Sequence, residues 1–296
     1  MANTAHSWKS TTLSNGIHAL TTGLLEHEAV VLLPGWPQTA EAFIPLLPIL
    51  SPHHHLIVLD PPGLGDTISS PTTCDTASIS AILESSIRST FPERKKYHLV
   101  GHDVGAWIAY AWAAQFSSSI KSLTILDSAI PGYGPQLSYP LPEAANIKLW
   151  QFSFNALPEL PEILTKGKER ELLNWLFDQK AVHPERITRE ARDRYVTCYQ
   201  REGGMSRGFA YYRAVAKSAE QNRSFAEKEK LKMPVLALGG EKAVGKMLVS
   251  MVSPLAVDVK GGEIEDCGHY VMEEQPEAVA GWLLDFFQRV DKESLS

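Results

Sequence analysis

The chain has 296 residues, 44% hydrophobic and 21% charged, with a formal net charge of -6. That length holds one sizeable core plus an insertion, and mild acidity without a long run of one sign excludes a basic surface for nucleic acid or acidic membrane. The N-terminal stretch lacks a basic start followed by an apolar run, and nothing approaches the roughly eighteen apolar residues of a membrane span, so a cytoplasmic protein acting on small molecules is expected.

Short apolar runs recur along the chain with helix-forming stretches between them: Ala29 to Leu33, Leu56 to Asp60, His98 to Gly101, Leu123 to Asp127 and Val235 to Gly239. Strands so unbroken in apolar residues are covered by helices on both faces, which predicts an α/β protein built on a mostly parallel sheet. His53-His54-His55, ahead of the second run, invites a metal reading. Neighbours on extended chain point to opposite faces, so the triplet reads as a loop entering a strand, and no metal or other cofactor is expected. Cys74, Cys198 and Cys267 are odd in number and irregular in spacing, which suits reduced thiols. From Gly132 to Lys232 the rhythm breaks into a segment rich in charge, aromatics and helix formers. The expected organisation is a core over 1–131, a helical cap over 132–232, and the core again over 233–296, ending in an amphipathic helix from Pro276 to Val290.

Chemistry gathers at the ends of the runs. After Val30-Val31-Leu32-Leu33, the segment Pro34-Gly35-Trp36-Pro37 must turn tightly and expose backbone N–H groups. The strand ending Val100-Gly101-His102 leads through Asp103 into Val104-Gly105-Ala106 and a helix to Phe116, a small-X-nucleophile-X-small turn with Asp where Ser is commoner. Small residues let strand and helix approach and allow the strained central residue. On its own, Asp103 reads equally as the cap of the following helix. If it is a nucleophile, the Trp36 and Val104 amides are the candidate oxyanion hole. Asp266-Cys267-Gly268-His269-Tyr270 supplies a candidate base, His269, whose tautomer a carboxylate would fix. Asp127 and Glu241 both end strands; Asp127 is the better candidate, because Glu241 is flanked by Lys242 and can be solvated.

With these motifs in hand, the chain from about Glu28 to Gln288 resembles the epoxide hydrolase and haloalkane or fluoroacetate dehalogenase branch of the α/β-hydrolases. In that branch the triad acid follows the nucleophile by 24 residues, the spacing of Asp127 from Asp103. The resemblance further implies two donors to the departing oxygen, Tyr212 in Phe209-Ala210-Tyr211-Tyr212-Arg213 and Gln151 in Trp150-Gln151-Phe152-Ser153-Phe154. Two positions depart from the family pattern. Pro34 stands where a His is usual, which removes a donor and an N–H, and Gln151 stands for a His, which leaves an amide without a titratable proton. A carboxylate nucleophile suits displacement at sp³ carbon through an alkyl ester. Val104, where dehalogenases carry Trp or Arg, favours an epoxide opened to a vicinal diol, while Trp36 and Trp150 keep a halide reading open. A non-hydrolytic or ligand-binding member of the fold is the alternative from another class. The expected substrate is a small apolar epoxide contacting Trp36, Trp150, Phe152, Phe154 and Tyr211. A homodimer is allowed for, though nothing in the sequence specifies it.

Overall fold

The computed structural model describes residues 8–69, 71–135 and 140–293, so four residues of the expected cap, 136–139, lie outside the described residues. The strands are β1 (Lys9–Thr12), β2 (His18–Thr22), β3 (Ala29–Leu33), β4 (His55–Leu59), β5 (Tyr97–His102), β6 (Ile120–Leu126), β7 (Val235–Gly240) and β8 (Val259–Ile264). They form one sheet in the order β1-β2-β4-β3-β5-β6-β7-β8, antiparallel at β1-β2-β4 and parallel from there on. Every residue of β3, β4 and β5 is buried, as expected for strands covered on both faces. The hairpin β1-β2 escapes sequence inspection: Lys-Ser-Thr-Thr is a polar, exposed edge, and β2 offers only Ala19 and Leu20 to the core.

The helices in chain order are α1 (Leu47–Leu50), α2 (Thr76–Thr90), α3 (Val104–Gln115), α4 (Glu143–Ala156), α5 (Leu160–Thr165), α6 (Glu169–Lys180), α7 (Arg189–Gln200), α8 (Gly204–Arg213), α9 (Val215–Lys228), α10 (Met247–Val252), α11 (Val271–Glu274) and α12 (Pro276–Glu293). Sequence chemistry starts several of them. Asp75 caps α2 by accepting the Ser78 N–H at 3.1 Å, and Thr188 caps α7 by accepting from Ala191 at 3.2 Å, each cap being worth about 1 kcal/mol. In α3, every residue from Val104 to Ala113 is buried, so this helix is part of the core. On α12, Val279, Leu283, Phe286 and Val290 repeat at three to four residues on one buried face.

Helices α4 to α9 are inserted between β6 and β7. The insertion is pinned to the core by Arg194 of α7 on Glu41 (2.9 Å) and on Asp66, and by Arg201 on Asp66 (2.7 Å). From α9, Ser218 accepts the Thr76 N–H at 3.1 Å and Lys217 pairs with Asp75 at 2.9 Å. The triple histidine divides as alternation requires: the His54 ring packs on His98 and Phe287, and the His55 ring packs on Phe91. No described helix is long and apolar enough to cross a membrane.

Candidate active site

Asp103 occupies the turn between β5 and α3 with φ 51° and ψ -121°, a conformation that L-residues rarely adopt and that surrounding packing must enforce. Two close approaches enforce it. A Cβ on Gly105 would lie 2.2 Å from the Leu33 carbonyl oxygen, and one on Gly35 would lie 2.3 Å from the Asp103 Cβ. With hydrogen alone at both positions, the loop after β3 sits against the Asp103 turn, and the Trp36 N–H donates to Asp103 Oδ1 at 3.0 Å. Pro34 does not prevent this contact. Val104 heads α3 directly after Asp103, so its N–H has no carbonyl to reach within the helix.

The loop between β8 and α11 brings His269 to the same edge. Its Nδ1 is 2.6 Å from Asp127 Oδ2, and its Nε2 is 3.5 Å from Asp103 Oδ2. Asp127 leaves β6 with φ 42°, and its other oxygen accepts the N–H groups of Gly240 (2.8 Å) and Val244 (3.1 Å). Gly240 ends β7 and Val244 lies in the turn after it, so the neighbouring strand and its turn orient Asp127. Glu241 is elsewhere: it pairs with Lys242 and accepts the Asp266 N–H at 2.9 Å.

Three further residues fix the His269 backbone, and none is singled out by the sequence. Glu274 of α11 accepts the N–H groups of Gly268 (3.0 Å) and Tyr270 (2.9 Å) on either side of it, and those of Val182 (2.6 Å) and His183 (3.1 Å) after α6. His102, whose ionisation burial pushes down to about 3, is neutral and donates from Nε2 to the His269 carbonyl at 2.8 Å. The His269 N–H donates to the Lys180 carbonyl at 3.0 Å.

The electrostatics favour an ion pair at rest. Burial opposes a charge on His269, but its contacts with Asp103 and Asp127 outweigh that and raise its pKa to about 9. Burial likewise works against the Asp103 carboxylate, and the His269 imidazolium overcomes it, holding Asp103 below the usual carboxylate range. Such mutual stabilisation is what opposite charges within hydrogen-bond reach produce.

A cavity of about 650 Å³ opens between this edge and the insertion. Asp103, Asp127 and His269 face it from the core, with Trp107 and Met247 among its apolar walls, while Lys148, Gln151, Phe152 and Lys180 reach it from the insertion. Gln151 is buried, and its Oε1 has no partner among the described residues. Burial pushes the Lys180 ammonium down to about 8, against the pull of Asp103 and Asp127. Tyr212 is not among the residues lining this cavity. It is buried, with its ring 5.6 Å from those of Trp36 and Trp107 and 5.7 Å from that of Phe152, and of these Trp107 and Phe152 do line it. Burial and the Asp103 charge raise its phenol well above the ordinary tyrosine value, so it stays protonated.

Four expected substrate contacts do not line this cavity. On α4, Ala145, Lys148, Leu149 and Phe152 share the face that does. Trp150 and Phe154 are rotated off it: their rings meet each other at a tilt, and meet Trp175 and Phe209, respectively, edge to face. Tyr211 points away from its neighbour Tyr212 and donates its hydroxyl to the Pro62 carbonyl at 2.6 Å. The Trp36 indole packs among Tyr199, Phe209 and Tyr212, and it is the backbone N–H that reaches Asp103. Trp107 lines the cavity instead. It follows Asp103 by four residues, one helical turn, a spacing that could have identified it. Nothing in the sequence points to Lys148 or Lys180.

His18, Asp60 and Asp66 are the one group among the described residues with ligand atoms close enough for a metal ion. Asp60 already accepts from Ala40 (2.7 Å), Asp66 (2.9 Å) and His18 (2.7 Å), and Asp66 holds Arg194 and Arg201. A cation there would displace two guanidiniums, so the cluster reads as a structural tie.

Comparison with known proteins agrees with this architecture. The model of the alpha/beta hydrolase fold family matches residues 28–276. A soluble epoxide hydrolase of Corynebacterium sp. (strain C12) is 28% identical over 260 residues, covering 87% of this chain and 89% of its own. Among solved structures, wild-type Cfl2 from Burkholderia cenocepacia superposes with a TM-score of 0.87 at 35% identity, over 95% of each chain. The Cif epoxide hydrolase from Acinetobacter nosocomialis superposes with a TM-score of 0.83 at 25% identity, over 96% of this chain and 90% of its own. Sheet order, the strained strand-to-helix turn at Asp103 and the family match together make this chain a member of the α/β-hydrolase fold family, in the branch of its epoxide hydrolase relatives.

Proposed function

We propose that this protein is an epoxide hydrolase working through a covalent ester on Asp103. The observation that carries the reading is a carboxylate, not a hydroxyl, at the nucleophile turn, opposed by His269 with Asp127 behind it. Asp103 Oδ2 displaces the epoxide oxygen from carbon, forming the ester, while Oδ1 stays on the Trp36 N–H. Tyr212 and Gln151 hold the departing alkoxide. Tyr212 gives it a proton and is reprotonated at the expense of the His269 imidazolium. The insertion acts as the cap that keeps bulk water from the ester.

Ester formation removes the charge of Asp103, and with it much of what keeps His269 protonated, so the neutral imidazole becomes available as a base as soon as the intermediate exists. His269 then takes a proton from water, whose oxygen attacks the ester carbon. The oxyanion on Oδ1 is stabilised by the amides of Trp36 and Val104. Collapse breaks the bond between the ester carbon and the diol oxygen, which takes the second proton of the water and leaves as the diol, so that Asp103 is again a carboxylate and His269 keeps the first proton as its imidazolium. Overall, one water is added to one epoxide.

The cavity walls speak against a halide as leaving group. Its indole, Trp107, has its N–H on Ser128 Oγ at 2.9 Å, and those of Trp36 and Trp150 lie off the cavity. The test is intact-protein mass spectrometry of a His269→Gln variant mixed with a panel of epoxides and alkyl halides. A whole-epoxide mass mapped to Asp103 is expected. An alkyl mass lacking halogen would favour dehalogenation, and a substrate turned over by the wild type without any adduct on the variant would overturn the covalent route.

A further inference from the structure

The buried carboxyl of Glu273 has no part in the reaction above, yet three segments around the site meet on it. Glu273 lies on α11, just past His269 and Tyr270, and its N–H donates to the Tyr270 carbonyl at 2.9 Å. Its Oε2 accepts from Gln38 Nε2, and its Oε1 accepts from the Tyr195 hydroxyl of α7 at 3.0 Å. Gln38 in turn closes the tight turn after β3, its N–H donating to the Gly35 carbonyl at 2.8 Å. Trp36 sits inside that turn with its own N–H on Asp103 Oδ1 at 3.0 Å. The Gln38 side chain therefore anchors the far end of the segment that presents this donor, and Glu273 is what it is anchored to. Gln38, Tyr195 and Glu273 are all buried, where such bonds are less weakened by water.

Burial pushes the Glu273 ionisation up to about 8, against its two donors, so near neutral pH the carboxyl carries a proton. A carboxamide opposite it serves either state. Nε2 donates to a carboxylate, and Oε1, which has no partner among the described residues, accepts from a carboxylic acid once the amide is turned over. Replacing a bonded polar set by apolar groups of the same shape is often neutral for stability, so stability alone does not call for a carboxyl here.

We propose that Glu273 is a positioning residue for the oxyanion hole. Through Gln38 it holds the Trp36 N–H where the negative oxygen forms during ester hydrolysis, and because it follows His269 on the same loop, it fixes that donor relative to the base. The assignment rests on the ester mechanism proposed above.

The experiment reads the two half-reactions separately, by rapid quench and intact-protein mass. Gln38→Met keeps the length of the side chain and removes its polar end. Hydrolysis of the Asp103 ester should slow about 10-fold or more, short of the roughly 100-fold or more of a donor lost outright, while ester formation changes by less than about threefold. Ester then accumulates during turnover. Glu273→Leu should behave alike, and the double variant should be within about twofold of either single one, since both break the same tie. Glu273→Gln, which still accepts from Gln38, should recover most of the rate that Glu273→Leu loses. Both half-reactions slowing in proportion, or a lowered urea midpoint without accumulated ester, would mean that the cluster only supports the fold and would overturn the proposal. A second readout needs no substrate: deuterium exchange of the Trp36 amide, followed by NMR, should quicken about 10-fold in Gln38→Met while the amides of β3 exchange as in the wild type. An unchanged Trp36 rate would sink the positioning role whatever the chemistry. If the Trp36 amide is released but no epoxide esterifies Asp103, even in His269→Gln, the anchor stands and the ester mechanism is what fails.

Discussion

At the scale of single residues, His269 holds the most informative charge. Free imidazole titrates near 6.5, whereas this one is raised to about 9 by Asp103 and Asp127 acting against burial. The folded protein therefore binds a proton that the unfolded chain releases between those values. The stabilisation is complete below about pH 6.5 and is lost as pH rises through about 9. Denaturant unfolding of the wild type across that interval should show stability falling, with a shallower fall in Asp103→Asn, which lacks one of the two charges responsible. A wild-type profile flat between the two values would contradict the ion pair. At this scale the sequence was most legible: Asp103, Asp127 and His269 are separated widely in the chain, but each ends or follows a strand run.

At the scale of elements, α11 is four residues long and yet organises the loop that carries His269. The Glu274 carboxylate is fully buried and accepts four backbone N–H groups, two beside His269 and two from the chain leaving α6. Glu274→Gln turns an amino group toward at least one of those donors, and a buried donor without a partner costs about 1–3 kcal/mol. A lower urea midpoint is expected, together with slower hydrolysis of the ester, because His269 loses its backbone anchor. An unchanged midpoint would show that water replaces the lost acceptor. The sequence offers Glu273-Glu274 only as two acids leading into a helix. Their burial depends on where α6 and the His269 loop meet, which local pattern does not encode. The edge hairpin was missed for a related reason, since its polar residues derive strand character from pairing rather than from alternation.

At the scale of the whole molecule, the cavity is a seam between two surfaces, the sheet edge and the insertion. Polar ties across the seam are partly exposed, as with Arg194, whose side chain is 32% accessible. The apolar ones are buried, as with Tyr199, Phe209 and Tyr212. Packing should therefore dominate. Arg194→Gln is expected to cost about 1 kcal/mol or less, as exposed ion pairs do, with the difference shrinking in high salt. Urea titrations of both proteins at low and high salt check this. A loss of several kcal/mol that salt does not reduce would mean that the guanidinium holds the insertion in place.

What the sequence determined by itself is what local chemistry determines: apolar runs with helical stretches between them require a covered parallel sheet, and a small-residue turn at a strand end presents Asp103. Tertiary structure decided everything that depends on two distant segments meeting. That Asp127 and not Glu241 meets His269 followed from the position of Gly240 and Val244, whose N–H groups converge on one carboxylate and not the other. The phase of α4 turned Phe152 and Lys148 into the cavity and Trp150 and Phe154 out of it. In sequence these are neighbours of similar character. About 100° of rotation per residue separates a wall of the site from the back of the insertion.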